Sequence, residues 1–173
     1  AIDLERFFEE PPAAVEIALL PNQLPDPVER DRDIGQPLRV AGRGGKPLAT
    51  DAERDSEGIG LADGDTSKGT AYVSFERNHR IQRYPFTRER FGPPDGALPL
   101  PAEAKRMSAN RGVEAIAAIR AGRLKGTTVA FSERLADKTG NLRGWLIGGP
   151  APGAIALKVI GGFDLTDAAA LPD

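Results

Sequence analysis

Glu57, Glu114 and Asp167 share a setting: each acid stands immediately before a short run of small apolar residues, "GIGL", "AIAA" and "AAAL" respectively. The first two lie 57 positions apart, and each is followed 19 positions later by an acid of a Glu-Arg pair, Glu76-Arg77 and Glu133-Arg134. Carboxylates brought together from separate loops raise one another's pKa unless a cation offsets them. Calcium suits such a set, because it takes about six to eight oxygen ligands in flexible geometry. Next to a phosphate it would also bridge phosphoryl oxygens and lower the pKa of an attacking water. Glu57, Glu114 and Asp167 are therefore candidate metal ligands. The competing role is structural, each acid accepting backbone N–H bonds in the turn before a strand.

The two Glu-Arg pairs carry the same ambiguity. Glu76 and Glu133 are candidate catalytic carboxylates and Arg77 and Arg134 candidate phosphate clamps, since guanidinium matches phosphate bidentately; as ion pairs between repeats they would be structural. His79 is the only histidine and sits in the basic cluster of Arg77, Arg80 and Arg83. It is the candidate general acid, and Arg80 a candidate anion contact, with a hydrogen-bonded turn histidine as the plainer role. Asn110, which opens the second unit, either turns the chain or offers its amide carbonyl to bound metal and substrate.

Other chemistries drop out. Absence of cysteine removes disulfides, thiolate nucleophiles and zinc-thiolate sites. With one histidine and no G-x-S-x-G elbow a serine triad has little to stand on, so hydrolysis by this chain would be metal-assisted without an acyl-enzyme. "GIGLADG" leads from strand to strand and lacks the third glycine of a dinucleotide site, and "GRGGKP" is too short for a P-loop. "DGDTSKG" has Ser74 where a calcium loop needs its twelfth-position Glu, which leaves a polar hairpin loop. The 23 basic and 25 acidic residues give a net charge of −2, so no overall field gathers nucleic acid or anionic membrane. No apolar run approaches the roughly 18 residues of a membrane span, and "AIDLERFFEE" is not a secretion signal.

The elements that must hold these residues are strands. Twenty glycines and 15 prolines among 173 residues suit a turn-rich fold. In the first unit Ile59 and Leu61 alternate with small residues, "TAYVSFER" alternates at period two, and "HRIQRYPF" reads as a third strand ending at Pro85. "FGPPDGALPLPAEAKRMSA" reads as a loop. In the second unit "EAIAAI", "TTVAFSER", "GWLIG" and "AIALKVI" follow in the same order, and "FDLTDAAALPD" begins a third copy. Four short strands per unit of about 57 residues predict an all-β chain of four-stranded antiparallel blades, a β-propeller or part of one, with two blades and the start of a third. Residues 1–50 are expected to form an N-terminal segment with short strands, including "AVEIALL", a short helix at "RFFEEPP", and Pro-rich loops; residues 51–173 hold the blades. Since a blade cannot bury both faces alone, a further segment or a second chain is expected to close the ring.

Five segments in order resemble the phytase-like family (esterase-like activity of phytase): Asp55-Ser56-Glu57-Gly58-Ile59, Val73 through Tyr84, Asn110 through Ala115, Glu133-Arg134, and Phe163 through Asp173. They cover roughly residues 35–173. The resemblance implies a β-propeller-like fold, a periplasmic or secreted location and a phosphoester or ester hydrolase acting on a small anionic or phosphorylated substrate. The alternative is a non-catalytic propeller that serves as a binding scaffold, its carboxylates structural.

Overall fold

The computed structural model describes residues 40–162 and 164–171. The expected helix at "RFFEEPP" and strand at "AVEIALL" lie outside the described residues, as do Phe163, Pro172 and Asp173. The chain forms two four-stranded antiparallel sheets, each with its strands in sequence order. The first contains β1 (Ser56–Gly64), β2 (Lys68–Phe75), β3 (Arg80–Thr87) and β4 (Gly96–Leu98); the second contains β5 (Val113–Ala118), β6 (Thr127–Ala136), β7 (Leu142–Gly148) and β8 (Gly153–Leu157). Consecutive antiparallel strands need only tight connections, and the polar loops supply them. At the β1–β2 turn the Asp65 carboxylate accepts from the N–H of Ser67 and Lys68 and from the Ser67 hydroxyl. At the β6–β7 turn Asp137 does the same for Thr139 and the N–H of Asn141. These are side-chain-closed turns of the kind Asp favours.

The 57-residue period survives in the hydrogen-bond register. Ser56 pairs with Phe75 and Ile59 with Val73; 57 positions on, Val113 pairs with Ser132 and Ile116 with Ala130. Both pairs of strands carry a bulge at the same place, between Ser56 and Ile59 and between Val113 and Ala115. The acids Glu57 and Glu114 sit in those bulges, where extra residues re-aim side chains at the start of the strand.

Each strand divides its residues between two faces. Ile116, Ala130, Trp145 and Ile147 of the second sheet pack against Tyr72, Ile81 and Leu98 of the first, with Ala104 and Met107 from the connecting segment. Trp145 is buried there, its indole N–H donating to Glu103 at 2.9 Å, and Glu103 also pairs with Arg143. The far side of the second sheet (Ala115, Ala117, Val129, Phe131) is covered by Leu165 and Ala168. The far side of the first sheet (Val73, Phe75, Tyr84) is partly covered by Val40, Leu48 and Phe91.

Close stacking of the two sheets depends on β1 being pared to backbone. A Cβ on Gly58 would lie 2.4 Å from the Glu114 carbonyl oxygen, and one on Gly60 2.9 Å from that of Ile116. Ser74 then stitches the layers: its hydroxyl accepts from the Gly58 N–H at 2.8 Å and donates to the Val113 carbonyl at 2.6 Å.

Three expectations need correction. β3 continues through Pro85 to Thr87; its carbonyl accepts from Gly92, so the missing N–H falls on the side where β4 has already ended. The Pro- and Gly-dense stretch is not all loop, for it contains β4 and a 3-10 turn over Ala102–Arg106. Residues 164–171 form no strand and lie instead as a cover on the second sheet. Before β1, α1 (Asp51–Arg54) is closed by a reciprocal capping box between Thr50 and Glu53.

Candidate functional site

The bulges and the β2 and β6 ends fall at the same edge of the stacked sheets. The Glu76 N–H donates to the Asp55 carbonyl, and, 57 residues later, the Glu133 N–H donates to the Gly112 carbonyl, both at 2.9 Å. These bonds tie the end of each second strand to the start of its first, so each Glu-Arg pair stands beside a bulged acid. Between the units, the Arg77 N–H donates to the Ala109 carbonyl, and Gly112 lies against Glu76, whose Cβ would be 2.9 Å from a Cβ at that position.

The result is a cluster of carboxylates. One ligand atom from each of Asp55, Glu57 and Glu76 lies within 4.8 Å of the others, with Glu76 buried, Asp55 half-buried and Glu57 exposed. Burial raises the Glu76 pKa, helped by the charges of Glu57 and Asp55. Glu57 is raised by partial desolvation of its carboxyl and by Asp55 and Glu133. Glu114 is pushed up to about 7, first by burial and then by the fields of Glu57, Glu133, Glu76 and Asp164. Acids from both sheets and from the covering segment thus share one edge, and Glu57, Glu76 and Glu114 are each held above the usual carboxylate range.

Arginines answer part of that charge. Arg77 pairs with Asp55, which raises the guanidinium pKa. Its backbone has φ of 55°, a left-handed conformation uncommon outside glycine, in the tight turn from Glu76 to His79. Arg111 lies 3.5 Å from Glu133, and Arg134 bridges Glu133 and Asp164. Carboxylates at this spacing, only partly neutralised, could hold a metal ion.

The residues singled out from sequence are therefore distributed unevenly. Glu57, Glu76, Glu114 and Glu133 converge, with Arg77 and Arg134 among them. Asp167 is exposed on the covering segment, its carboxylate accepting from the N–H of Ala168, and the acid of that segment that acts on Glu114 is Asp164. Arg80 lies over the Phe75 ring at 3.8 Å and donates to the Glu53 and Asn78 carbonyls; desolvation lowers its pKa. Arg83 pairs with Asp95. His79 sits in the β2–β3 turn with Nδ1 buried and without a partner among the described residues. Asn110 occupies an exposed turn.

Asp55 and Asp164 were missed as site residues. Asp55 has Gly112 as its counterpart one period on, and Asp164 stands 50 positions after Glu114, so neither is picked out by the repeat. The usable signal was adjacency: Asp55 is two residues from Glu57 in a turn that must hold both.

A family model described as Phytase-like, esterase-like activity of phytase, matches residues 10–173, beginning well before the motif-bearing stretch. No curated protein and no solved structure matches the chain.

Proposed function

The chain belongs to the phytase-like family, and on that premise we propose that it is a phosphoester or ester hydrolase working with a bound cation, calcium by chemistry, at the carboxylate edge of the two sheets. The observation that supports this reading most directly is the convergence of Asp55, Glu57 and Glu76 within 4.8 Å. Those three residues would hold the cation, and Glu114 faces the same cluster from the second sheet. A cation bound there supplies charge neutralisation for the acids and for phosphoryl oxygens, and acidifies a coordinated water.

The rest falls to side chains of this chain. Arg134, exposed and reaching Asp164 and Glu133, can exchange an aspartate for a phosphate without leaving the cluster. Arg77 holds Asp55 in place. Glu114, titrating near neutrality, can take or give a proton at its carboxylate oxygens, a role that Glu76 and Glu133 share. His79, one turn from Glu76, remains the candidate for protonating a leaving group.

In this reading the two sheets are successive blades of a propeller, and the cluster lies at one mouth of its channel. The substrate is small and anionic, and the protein works in the periplasm or outside the cell. No helix among the described residues is long and apolar enough to cross a membrane. The competing reading, a non-catalytic propeller scaffold, draws on the ion pairs Arg77–Asp55 and Arg134–Asp164, which already answer two of the acids.

Calorimetric titration with calcium, followed by release of phosphate from p-nitrophenyl phosphate, separates the two. The hydrolase reading expects binding that is lost on chelation and weakened at least about ten-fold by Glu57→Gln or Glu76→Gln, with turnover following the bound cation. No binding and no turnover of phosphate or acetate esters would leave the scaffold.

A further inference from the structure

The second sheet departs from the repeat at the edge that carries the acids. β2 ends at Phe75, whereas β6 runs on past a break in register after Phe131 until Ala136 pairs with Leu142. That extension, the end of β8 and the covering segment line a pocket of about 340 Å³, within the range of roughly 300–1,000 Å³ that small-molecule sites occupy.

Its walls are largely apolar: Ala136 and Leu142 from the extended hairpin, Leu157, Val159 and Ile160 from β8 and the residues after it, and Leu165 from the cover. Val159 is 46% and Ile160 73% exposed, so neither is spent on the core. The charged lining is Glu133, Arg134, Lys158 and Asp164. Glu133 acts on Glu57 and Glu114, and Arg134 pairs with Glu133, so the pocket is continuous with the acid cluster through those two residues. Its cations are matched by as many carboxylates. A ligand with one anionic group can take the cations, whereas one carrying several phosphates would set its further charges against Glu133 and Asp164.

We propose that this pocket takes the apolar part of the substrate, which is then a phosphoester of an alkyl or aryl group. Arg134 and Lys158 hold the anionic head, and Leu142, Leu157, Val159 and Ile160 hold the tail. This names the substrate class for the hydrolase reading and rests on it; the pocket's affinity for an apolar anion does not.

Calorimetry with hexylphosphonate and methylphosphonate tests the pocket, because neither is hydrolysed and they differ only in the tail. The calcium-loaded chain should bind hexylphosphonate at least about ten-fold more tightly, as expected when even part of the longer chain leaves water. Ala136→Phe, at an exposed position on the pocket wall, should fill the space and cut that preference to about two-fold or less. Ile160→Ser, at a site exposed enough to leave folding alone, should lower it about three-fold. In both variants calcium affinity and Trp145 fluorescence should match the parent. The preference should persist in chelator, where Arg134 and Lys158 alone hold the head, so a chain that binds no calcium still tests the pocket. Equal affinity for the two phosphonates, no measurable binding of hexylphosphonate, or a preference unchanged in both variants would each overturn the proposal. Absence of calcium binding with the preference intact would instead strike the hydrolase reading, while the pocket's ligand class stands.

Discussion

The two sheets share one register and differ in what each has been fitted against. The back of the first meets another sheet's backbone, and its β1 residues there are Gly58 and Gly60; the back of the second meets side chains from a loop, and the same positions are Ala115 and Ala117. Ser74, which reaches across to the Val113 carbonyl, is matched in the second sheet by Phe131, which has no neighbouring strand to reach and packs with Leu165. A repeated strand pattern thus sets the sheet, while the residues that break the repeat set the neighbour. Sheet identity and stacking partner are encoded at different positions.

The sharpest way to break that comparison is to give the first sheet a side chain it has no room for. Gly58→Val places a Cβ 2.4 Å from a carbonyl oxygen that belongs to β5 and cannot move without shifting that strand. It should cost about 3 kcal/mol in urea unfolding followed by Trp145 fluorescence. Ala117→Val, facing Leu165 on a segment free to yield, should cost about 1 kcal/mol. Equal costs would mean that the two backs are not differently fitted after all.

The same division explains how far the sequence could be read. Seven strands were visible because alternation and the 57-residue interval coincide, and both bulged glutamates and both Glu-Arg pairs follow that interval. β4 was not visible: three residues among four prolines and two glycines in "FGPPDGALPLP" carry no alternation, and β3's second partner is decided by tertiary contact. The covering role of residues 164–171 was hidden for the opposite reason. "DAAAL" imitates the start of a first strand, yet Leu165 and Ala168 are used as side-chain cover, so alignment drew attention to Asp167 while Asp164 faces the cluster. Asp55 escaped because periodicity selects residues that recur, and a site assembled from two unequal units also uses ones that do not.

Removing the stitch should have an intermediate effect. Ser74→Ala leaves the Gly58 N–H and the Val113 carbonyl buried with one partner fewer, and unmet polar groups in a dry layer cost about 2 kcal/mol in all. Ser132 is itself buried, but Ser132→Ala removes a bond to the Arg143 carbonyl and one from the Leu135 N–H, and both of those residues are half-buried, so water can reach them; about 1 kcal/mol is expected. Paired unfolding curves check the difference. A larger loss at Ser132 would place the demanding contact within a sheet instead of between sheets.

The smallest effect is electrostatic and has a sign. With chelator present, Glu114 titrates at about 7 in the folded protein and near 4.5 when unfolded, so between those values the folded state keeps a proton that the unfolded state has released. Stability contributed by the protonated acid is therefore present below about 4.5 and is lost as pH rises through about 7. Because Glu114 is only half-buried and water screens its neighbours, the fall should be about 1 kcal/mol and not the full value of the shift. Glu114→Gln stays neutral throughout and should flatten that segment of the stability curve, leaving the smaller contributions of Glu57 and Glu76, which are raised in the same direction. Calcium in excess should reverse the slope in the parent protein, because ligands bind it deprotonated and affinity then grows with pH. A parent curve already flat in chelator would show that the second sheet's acid does not feel the first sheet's, and with that the two sheets would cease to share a site.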